Sequence, residues 1–486
     1  MSTMNLTLLT DLYELTMMQG YFKNNCNETV VFDMFYRSNP CGNGYAICAG
    51  LDQLIDYIKR LEFSDEDIAY LDSLHLFEDD FLEYLRGFHF SGDIYAIPEG
   101  TVVFPREPLV KVVAPIMEAQ LVETALLTII NHQSLIATKT ARVVYAADGG
   151  GVMEFGLRRA QGPDAGVYGA RAAMIAGCIG TSNVLAGQLF DVPVKGTHAH
   201  SWIMSFPDEY TAFKKYSELY PNACCLLVDT YDTLKSGVPN AIRVFTEMRE
   251  AGIELKNYGI RLDSGDLAYL TKRARQMLDE AGFSDAFISA SSDLDEYLIT
   301  SLKSQGCCID SWGVGTNMIT SKDCPAFGGV YKLAAVQDGD GNYIPKIKLS
   351  ENIEKITNPG NKTVFRIYEK ADHKIKADLI CLADEVFDES RDLTIFDPLE
   401  TWKRTKLKAG TYELRELLVP VFRKGECVYT SPSVMELRDI CSKELDTLWE
   451  EHRRLINPSQ MYVDLSDKLY DIKKNLLHQM SMEDEN

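Results

Sequence analysis

The sequence predicts an α/β protein whose central part forms a closed or nearly closed (β/α) barrel, which need not be regular. Apolar β-type runs alternate with helical stretches from Gly151 onward, and this alternation is typical of a parallel sheet covered by helices. The later runs recur roughly every 25–35 residues, the length of one βα unit. Seven such runs favour a barrel. The predicted strands are 151–155, 191–196, 223–228, 257–262, 285–290, 309–314 and 330–336.

A doubly wound open sheet is the alternative arrangement for the same alternation. Such a sheet is expected to carry Gly-x-Gly-x-x-Gly after its first strand, and the sequence lacks that motif.

The segment before the barrel predicts an α+β domain, residues 1–117. Leucines and Met18 recur at helical spacing in the first segment, and Ser64 with the acidic turn after it predicts a capped helix start. Prolines and glycines punctuate short β runs between Gly92 and Ala114. Predicted helices are 5–22, 48–61, 65–73, 78–87 and 118–147, and 30–36 is a predicted strand.

The α/β alternation stops after about residue 340. We therefore expect residues 118–340 to form the barrel domain, and residues 341–486 to form an α+β segment that packs with the N-terminal domain. Predicted elements of that last segment are strands at 344–350 and 363–368, and helices at 432–454 and 466–478.

Composition narrows the class of protein. The chain has 486 residues and a net charge of −22, which argues against nucleic acid or an anionic membrane as the main partner. No apolar run approaches the ~18 residues that a membrane span needs, and the N-terminus has no basic region typical of a signal peptide. The vicinal pairs Cys224-Cys225 and Cys307-Cys308 lie in apolar runs and suit buried thiols in a reducing compartment. These features predict a cytoplasmic protein.

The segment that suggests chemistry most strongly is Lys195–Trp202, called here the histidine segment. It follows a β-branched run, so His198 and His200 are expected at the mouth of the sheet. A metal site is one reading of a His-x-His pair, but no third His or Cys lies at ligand spacing. A nucleophilic or acid–base histidine is the more specific interpretation, and a polar packing role is the simplest one.

Other strand ends carry polar or glycine-rich motifs. Asp263 and Asp266 flank Ser-Gly and suit ribose hydroxyls or a Mg²⁺–diphosphate, although the same motif also makes a turn and helix cap. Gly313-Val-Gly-Thr316 lets the main chain approach an anion closely. Polar residues at predicted strand ends are Glu154, Thr197, Asp229, Asp263, Ser291 and Thr316.

The sequence resembles the nicotinate phosphoribosyltransferases of bacterial type, which are type II phosphoribosyltransferases. The resemblance runs in order across about three-quarters of the chain. The matching stretches are LLTDLYELTMMQGYF (8–22), PEGTVVFPREPL (98–109), EFGLRRAQG (154–162), GTSN (180–183), GTHAHSW (196–202), RLDSGDL (261–267), GVGTNMITS (313–321), GGVYKL (328–333) and KLSENIEKITNPGNKTVFR (348–366).

The resemblance implies an ATP-coupled enzyme of NAD salvage. It would condense nicotinate with 5-phosphoribosyl 1-pyrophosphate to nicotinate mononucleotide and pyrophosphate, with ATP and Mg²⁺ as co-substrate and cofactor and a homodimer as the active form. Two alternatives stay open: a related transferase that takes nicotinamide, and a non-catalytic nucleotide-binding barrel.

The resemblance also implies roles for individual residues. His200 matches the histidine that ATP phosphorylates, and no residue is assigned as a protein ligand of a metal. Tyr13 matches an aromatic residue that stacks on the substrate ring across the dimer interface, with Phe155 on the second face. Residues implied to bind nicotinate are Tyr13, Phe155, Arg158, Thr197 and Arg261. Residues implied to bind the phosphoribosyl donor are Asp263, Gly313, Gly315 and Thr316.

Overall fold

The structure, a computed structural model, describes residues 5–348, 356–398 and 400–483. Parts of the predicted strand 344–350 and of the matching stretch 348–366 lie outside these residues. The helices are α1 (Leu12–Lys23), α2 (Leu51–Lys59), α3 (Asp65–Ser73), α4 (Asp79–Arg86), α5 (Ile116–Leu121), α6 (Glu123–Ala147), α7 (Pro163–Ile175), α8 (Val184–Phe190), α9 (His200–Met204), α10 (Glu209–Leu219), α11 (Val238–Glu250), α12 (Leu267–Glu280), α13 (Glu296–Ser304), α14 (Thr316–Ile319), α15 (Val434–Asp446), α16 (Glu450–Arg453) and α17 (Asp467–Glu483).

The strands are mostly short and fall into several sheets. They are β1 (Thr29–Tyr36), β2 (Ala46–Ile47), β3 (Asp93–Ala96), β4 (Val102–Val103), β5 (Val110–Pro115), β6 (Gly151–Glu154), β7 (Gly180–Thr181), β8 (Cys224–Leu227), β9 (Tyr258–Leu262), β10 (Phe287–Ala290), β11 (Ser311–Val314), β12 (Gly329–Gln337), β13 (Tyr343–Pro345), β14 (Lys362–Glu369), β15 (Ile375–Leu382), β16 (Leu393–Phe396), β17 (Arg404–Leu407), β18 (Tyr412–Glu416), β19 (Val419–Arg423), β20 (Glu426–Cys427) and β21 (Val463–Leu465).

The chain divides into two compact units, residues 1–135 with 326–486 and residues 136–325. The first division falls within α6, whose early turns pack in the core of the first unit through Leu126 and Ile130. The second falls just before β12, which pairs with β1. The predicted boundaries lay at 117/118 and 340/341, at the change of sequence pattern.

The first unit is built on an antiparallel sheet in the order β13-β12-β1-β5-β3-β19-β20. Strand β1 is buried along most of its length, which explains its run of apolar residues. Phe32 on β1 stacks on Tyr331 of β12, with ring centroids 4.7 Å apart. A second sheet, β18-β14-β15-β21, comes from the C-terminal part of the chain.

The second unit is built on a six-stranded parallel sheet in the order β7-β6-β11-β10-β9-β8. Helices α7, α11, α12 and α13 follow its strands along the chain, as the alternating pattern predicts. The prediction of an α/β class with a parallel sheet is therefore confirmed.

The barrel prediction needs correction in detail. The predicted strand 330–336 is β12, which pairs antiparallel with β1 in the first unit and is not a seventh barrel strand. The predicted strand 191–196 makes only an isolated bridge, between Val194 and Thr181. The two-residue strand β7 was not predicted. Among the described strands, β7 and β8 lie at opposite ends of the order, so main-chain pairing does not close a complete barrel.

Two smaller expectations concern cysteines and membranes. The vicinal cysteines at 224, 225, 307 and 308 carry free thiols. Cys224 and Cys225 are buried, which raises their pKa to about 12, whereas Cys307 and Cys308 are only partly buried. In the part of the chain that the structure describes, no helix has the length and apolar character needed to cross a bilayer.

Candidate active site

The site lies where the parallel strands of the second unit end. Parallel strands deliver their carboxyl ends to one edge, so residues that follow different strands meet there. Five strands each end directly before a residue of the site, or one residue earlier. These residues are Phe155 after β6, Asp229 after β8, Asp263 after β9, Ser291 after β10 and Gly315 after β11.

His200 is the first residue of α9 and points toward the ends of β8 and β9. Its Nδ1 lies 3.0 Å from the Thr230 hydroxyl, and 39% of its side chain is exposed. Its Nε2 lies 3.9 Å from Asp229 Oδ1 and 4.0 Å from Asp263 Oδ2. The imidazole is therefore accessible and faces two carboxylates.

His198 differs from His200 in every one of these respects. It is buried, its Nε2 accepts the Leu227 N–H at 3.3 Å, and its ring packs edge-on against Tyr216 at 4.6 Å. Burial lowers the pKa of His198 to about 4, so the ring is neutral near pH 7. Of the two histidines, His200 alone offers an accessible ring nitrogen to a ligand.

Arg261, at the end of β9, is 16% exposed and already engaged. Its Nε donates to Ser291 Oγ at 2.8 Å and its Nη1 to Thr197 Oγ1 at 3.0 Å. Its Nη2 donates to Asp263 Oδ1 at 3.1 Å. A guanidinium has five N–H donors, so one donor on each Nη nitrogen remains available to a ligand among the described contacts.

Asp229 and Asp263 are linked through the main chain. The Oδ2 of Asp229 accepts the Asp263 N–H and the Ser264 hydroxyl, each at 2.7 Å. Its Oδ1 is buried and has no hydrogen-bond partner among the described residues. The two aspartates of the motif at the end of β9 therefore have different positions. Asp263 belongs to the site, whereas Asp266 caps α12 by accepting the Tyr269 N–H.

Phe155 is held in place by the strand ends around it. The side chain of Glu154 accepts the Thr181 hydroxyl at 2.6 Å and also the N–H of Gly156, and burial raises the pKa of Glu154. A side chain at Gly313 would come within 2.6 Å of the Phe155 ring, so that position requires glycine. The guanidinium of Arg261 lies 5.6 Å from the ring centroid.

Two adjoining cavities open at this edge. One, of about 390 Å³, is lined by Phe155, Leu157, Arg158, Ser182, Gly196, Thr197, His198, Ala199, His200, Leu227, Arg261 and Asp263. The other, of about 210 Å³, is lined by Phe155, Arg158, Arg159, Arg261, Asp263, Ser291, Ser292, Asp293, Gly313, Gly315 and Thr316. Phe155, Arg158, Arg261 and Asp263 line both.

The structure thus brings together the predicted site residues of the second unit, whereas Tyr13 belongs to the first unit. Tyr13 lies on α1 of the first unit, where 47% of it is exposed and burial of its hydroxyl raises its pKa to about 12. Asp229 and Ser291 were noted only as strand-end residues, and Thr230 was missed. Within the described ranges, no group of three His, Cys, Asp or Glu residues is placed to hold a metal ion.

Comparison with known proteins gives matches along nearly the whole chain. Models of the nicotinate phosphoribosyltransferase N-terminal domain, family and C-terminal domain match residues 8–131, 151–324 and 361–473. The chain is 47% identical to nicotinate phosphoribosyltransferase of Bacillus subtilis, over 98% of this chain and 96% of the relative. It is 33% identical to that of Homo sapiens, over 96% of each.

A solved structure agrees with these matches. The crystal structure of human nicotinic acid phosphoribosyltransferase superposes with a TM-score of 0.83 at 30% identity, covering 96% of this chain and 99% of that one. The chain belongs to the nicotinate phosphoribosyltransferase family.

Proposed function

We propose that the chain condenses nicotinate with 5-phosphoribosyl 1-pyrophosphate to give nicotinate mononucleotide and pyrophosphate, in salvage of nicotinate for NAD. We further propose that ATP hydrolysis is coupled to this reaction through phosphorylation of His200. The observation that carries the proposal is that Arg261, with two N–H donors to spare, and the accessible His200 line one cavity.

Nicotinate would bind with its carboxylate on Arg261 and its ring on Phe155. The two remaining N–H donors of Arg261 suit a carboxylate, which a guanidinium binds through two charge-assisted hydrogen bonds. The Phe155 ring offers a face for the pyridine ring, and Thr197 and Arg158 line the same cavity. A neutral amide would present its NH₂ to donors, so the same pocket disfavours nicotinamide.

The phosphoribosyl donor would occupy the smaller, more polar cavity. Arg158 and Arg159 supply positive charge there, and Gly313, Gly315 and Thr316 supply a close main-chain approach for the 5-phosphate. Asp263 would face the ribose. In the transfer, the pyridine nitrogen forms a bond to the anomeric carbon as the bond to pyrophosphate breaks, so the enzyme must hold both groups in line.

His200 would take the γ-phosphoryl group of ATP. If Nδ1–H donates to the Thr230 hydroxyl, the Nε2 lone pair is left to attack phosphorus, and ADP leaves as the P–N bond forms. Asp229, whose Oδ1 has no partner among the described residues, and Asp263 would hold Mg²⁺ through the carboxylate oxygens that this ion prefers, and the bound ion would neutralise part of the phosphate charge. Hydrolysis of the phosphoramidate after the transfer returns the free histidine.

We also propose that the active form is a homodimer in which Tyr13 of a second copy covers the nicotinate ring opposite Phe155. The surface around α1 exposes Leu9, Leu12, Tyr13 and Met17 by 38–52%. The second unit exposes a further apolar set by 37–71%: Val184, Leu185, Leu189 and Val194. Contiguous exposed apolar surface is typical of an interaction site.

A single assay tests the reaction and its alternatives. Purified protein is incubated with the phosphoribosyl donor and either nicotinate or nicotinamide, with and without ATP, and mononucleotide and ADP are measured. We expect turnover of nicotinate, stimulated by ATP, and little turnover of nicotinamide. Preference for nicotinamide would assign the chain to the amide-type transferases, and no turnover of either would favour a non-catalytic barrel.

A further inference from the structure

His198 accepts a hydrogen bond from the Leu227 N–H, which lies at the edge of the sheet and has no described strand beside it to accept the bond. Strand β8 donates to β9 through alternate residues, with Cys224 N–H bonding Asn257 O and Val228 N–H bonding Arg261 O, each at 3.1 Å. The N–H of Leu227 points to the other side, away from β9, and is buried. The Nε2 of His198 accepts it at 3.3 Å.

The chain just before His198 is attached to the opposite end of the sheet. Thr181, on β7, donates to Pro193 O at 3.0 Å and accepts the Lys195 N–H at 2.8 Å. The residues from Pro193 to His198 therefore occupy the gap between the edge strands β7 and β8. Their main chain is hydrogen-bonded to β7, and the side chain of His198 is hydrogen-bonded to β8.

The histidine segment has few other attachments. Gly196, Thr197 and His198 make no main-chain to main-chain hydrogen bond within the described residues. Three of its side chains bond residues on β8 and β9 or in the loop after β8: Thr197 to Arg261, His198 to Leu227 and His200 to Thr230. The Trp202 ring N–H also donates to Ala212 O on α10, at 3.1 Å. Of the three, the first and third involve residues that are proposed to bind nicotinate or to react with ATP. No group with a proposed role in binding or reaction takes part in the His198 contact, although both of its residues line the larger cavity.

We propose that His198 is a positioning residue that joins the two edges of the parallel sheet and thereby holds His200 in place for phosphorylation. The proposal rests on the proposed function of His200. Because the Nε2 lone pair must stay available to the Leu227 N–H, His198 has to remain neutral, and its burial against Tyr216 keeps it so. The same engagement prevents His198 from accepting a phosphoryl group itself.

The test distinguishes the effect of losing the hydrogen-bond acceptor at Nε2 from the effect of losing the aromatic ring of His198. Glutamine at 198 can place its amide oxygen near the position of Nε2, asparagine reaches only the position of Nδ1, and phenylalanine keeps the ring but has no acceptor. Hydrogen exchange at the Leu227 amide, resolved by mass spectrometry, is compared in His198→Gln, His198→Asn and His198→Phe. The Val228 amide, bonded to β9, is the internal control.

We expect the Leu227 amide to exchange at least about tenfold faster in His198→Phe and His198→Asn, with Val228 unchanged and His198→Gln close to wild type. The single-turnover rate of His200 labelling by [γ-³²P]ATP should fall by roughly ten- to a hundredfold in the same two variants, with ATP affinity less affected, and recover in His198→Gln.

Two results would overturn the proposal: unchanged Leu227 exchange in both His198→Phe and His198→Asn, or labelling that is as slow in His198→Gln as in His198→Phe. If wild type itself is never labelled, the proposed chemistry of His200 is wrong and this role of His198 falls with it, whereas the exchange result still reports the contact to β8.

Discussion

Asp229 Oδ1 lies 3.9 Å from Nε2 of His200, while Oδ2 of the same carboxylate accepts the Asp263 N–H and the Ser264 hydroxyl. The carboxylate is 2% exposed and fixed to the loop after β9. Its position is therefore set by the fold, and one buried oxygen is left to face the imidazole.

Asp229→Asn keeps the shape and the hydrogen bonds of the Oδ2 side but removes the charge beside His200. We expect His200 labelling by [γ-³²P]ATP to slow by roughly a hundredfold or more, because the variant loses a carboxylate oxygen that is proposed to hold Mg²⁺ on the ATP phosphates. Asp232→Asn, at an exposed carboxylate of the same loop, is the matched control. Equal labelling rates in the two variants would remove Asp229 from the mechanism.

His200→Ala should abolish ATP hydrolysis coupled to product and leave a slow, ATP-independent transfer. The cavities still bring donor and acceptor together in this variant, because Arg261, Asp263 and Phe155 are held by contacts that do not involve His200. Mononucleotide formation with and without ATP measures both activities. Full ATP stimulation in His200→Ala, or a larger loss in His198→Ala, would show that the phosphorylated residue is wrongly assigned.

Mixed dimers test whether Tyr13 acts across an interface. Tyr13→Ala and His200→Ala proteins, each inactive in ATP-coupled turnover, are mixed under conditions that allow subunit exchange. A hybrid dimer pairs an intact His200 with an intact Tyr13 at one of its two sites, so partial activity should return. Sedimentation equilibrium runs alongside. A fully active monomer would contradict the dimer proposal.

Arg261→Lys should reduce the preference for acid over amide although the charge is kept. Two charge-assisted hydrogen bonds to the carboxylate are worth about 2–4 kcal/mol, a factor of roughly 30–900 in kcat/KM. Lysine lacks the planar fork and loses most of that factor. The check is kcat/KM for nicotinate and nicotinamide in both proteins. An unchanged ratio in the variant would move the carboxylate contact to Arg158, Arg159 or main-chain donors.

Glu14, next to Tyr13, predicts a pH dependence of stability. Burial raises its pKa from 4.5 to about 7, although the hydroxyls of Thr10 and Thr124 bond the carboxylate. The folded state therefore binds this proton more tightly than the unfolded state. The stabilisation is complete below about pH 4.5 and is lost as the pH rises through about 7.

The Tm of the wild type should fall between about pH 6 and about pH 8.5. The Tm of Glu14→Gln, in which this side chain does not titrate, should fall by roughly 2–4 °C less over the same range. Calorimetric scans at the two pH values measure the difference. Glu28→Gln, an exposed carboxyl in the same unit, should behave as wild type. Parallel Tm changes in all three proteins would show that Glu14 does not titrate in this range.

The sequence predicted the parallel sheet, and the edge of it where the site residues lie, better than it predicted which strands pair. Alternation identifies a strand but not its sheet, so β12 was placed in the barrel although it pairs with β1. Gly180-Thr181 is too short to show any period. Val194 looked like strand because β-branched residues surround it, yet it forms a single bridge.

The site was predictable to the level of strand ends and no further. Strand-end position singled out Asp229 and Ser291, but only the assembled loops show Asp229 Oδ1 facing His200 and Ser291 bracing Arg261. Thr230 carries no sequence signal apart from lying beside Asp229. The role of Tyr13 came from resemblance alone and stays a prediction.

The three contacts that Arg261 makes before any ligand arrives affect the cost of binding. An arginine side chain loses considerable rotamer entropy when it is immobilised. Ser291, Thr197 and Asp263 already fix this one, so that loss is incurred when the protein folds and not when nicotinate binds. Orienting an anion in such a site needs little reorganisation, which leaves more of the interaction energy for discrimination between acid and amide.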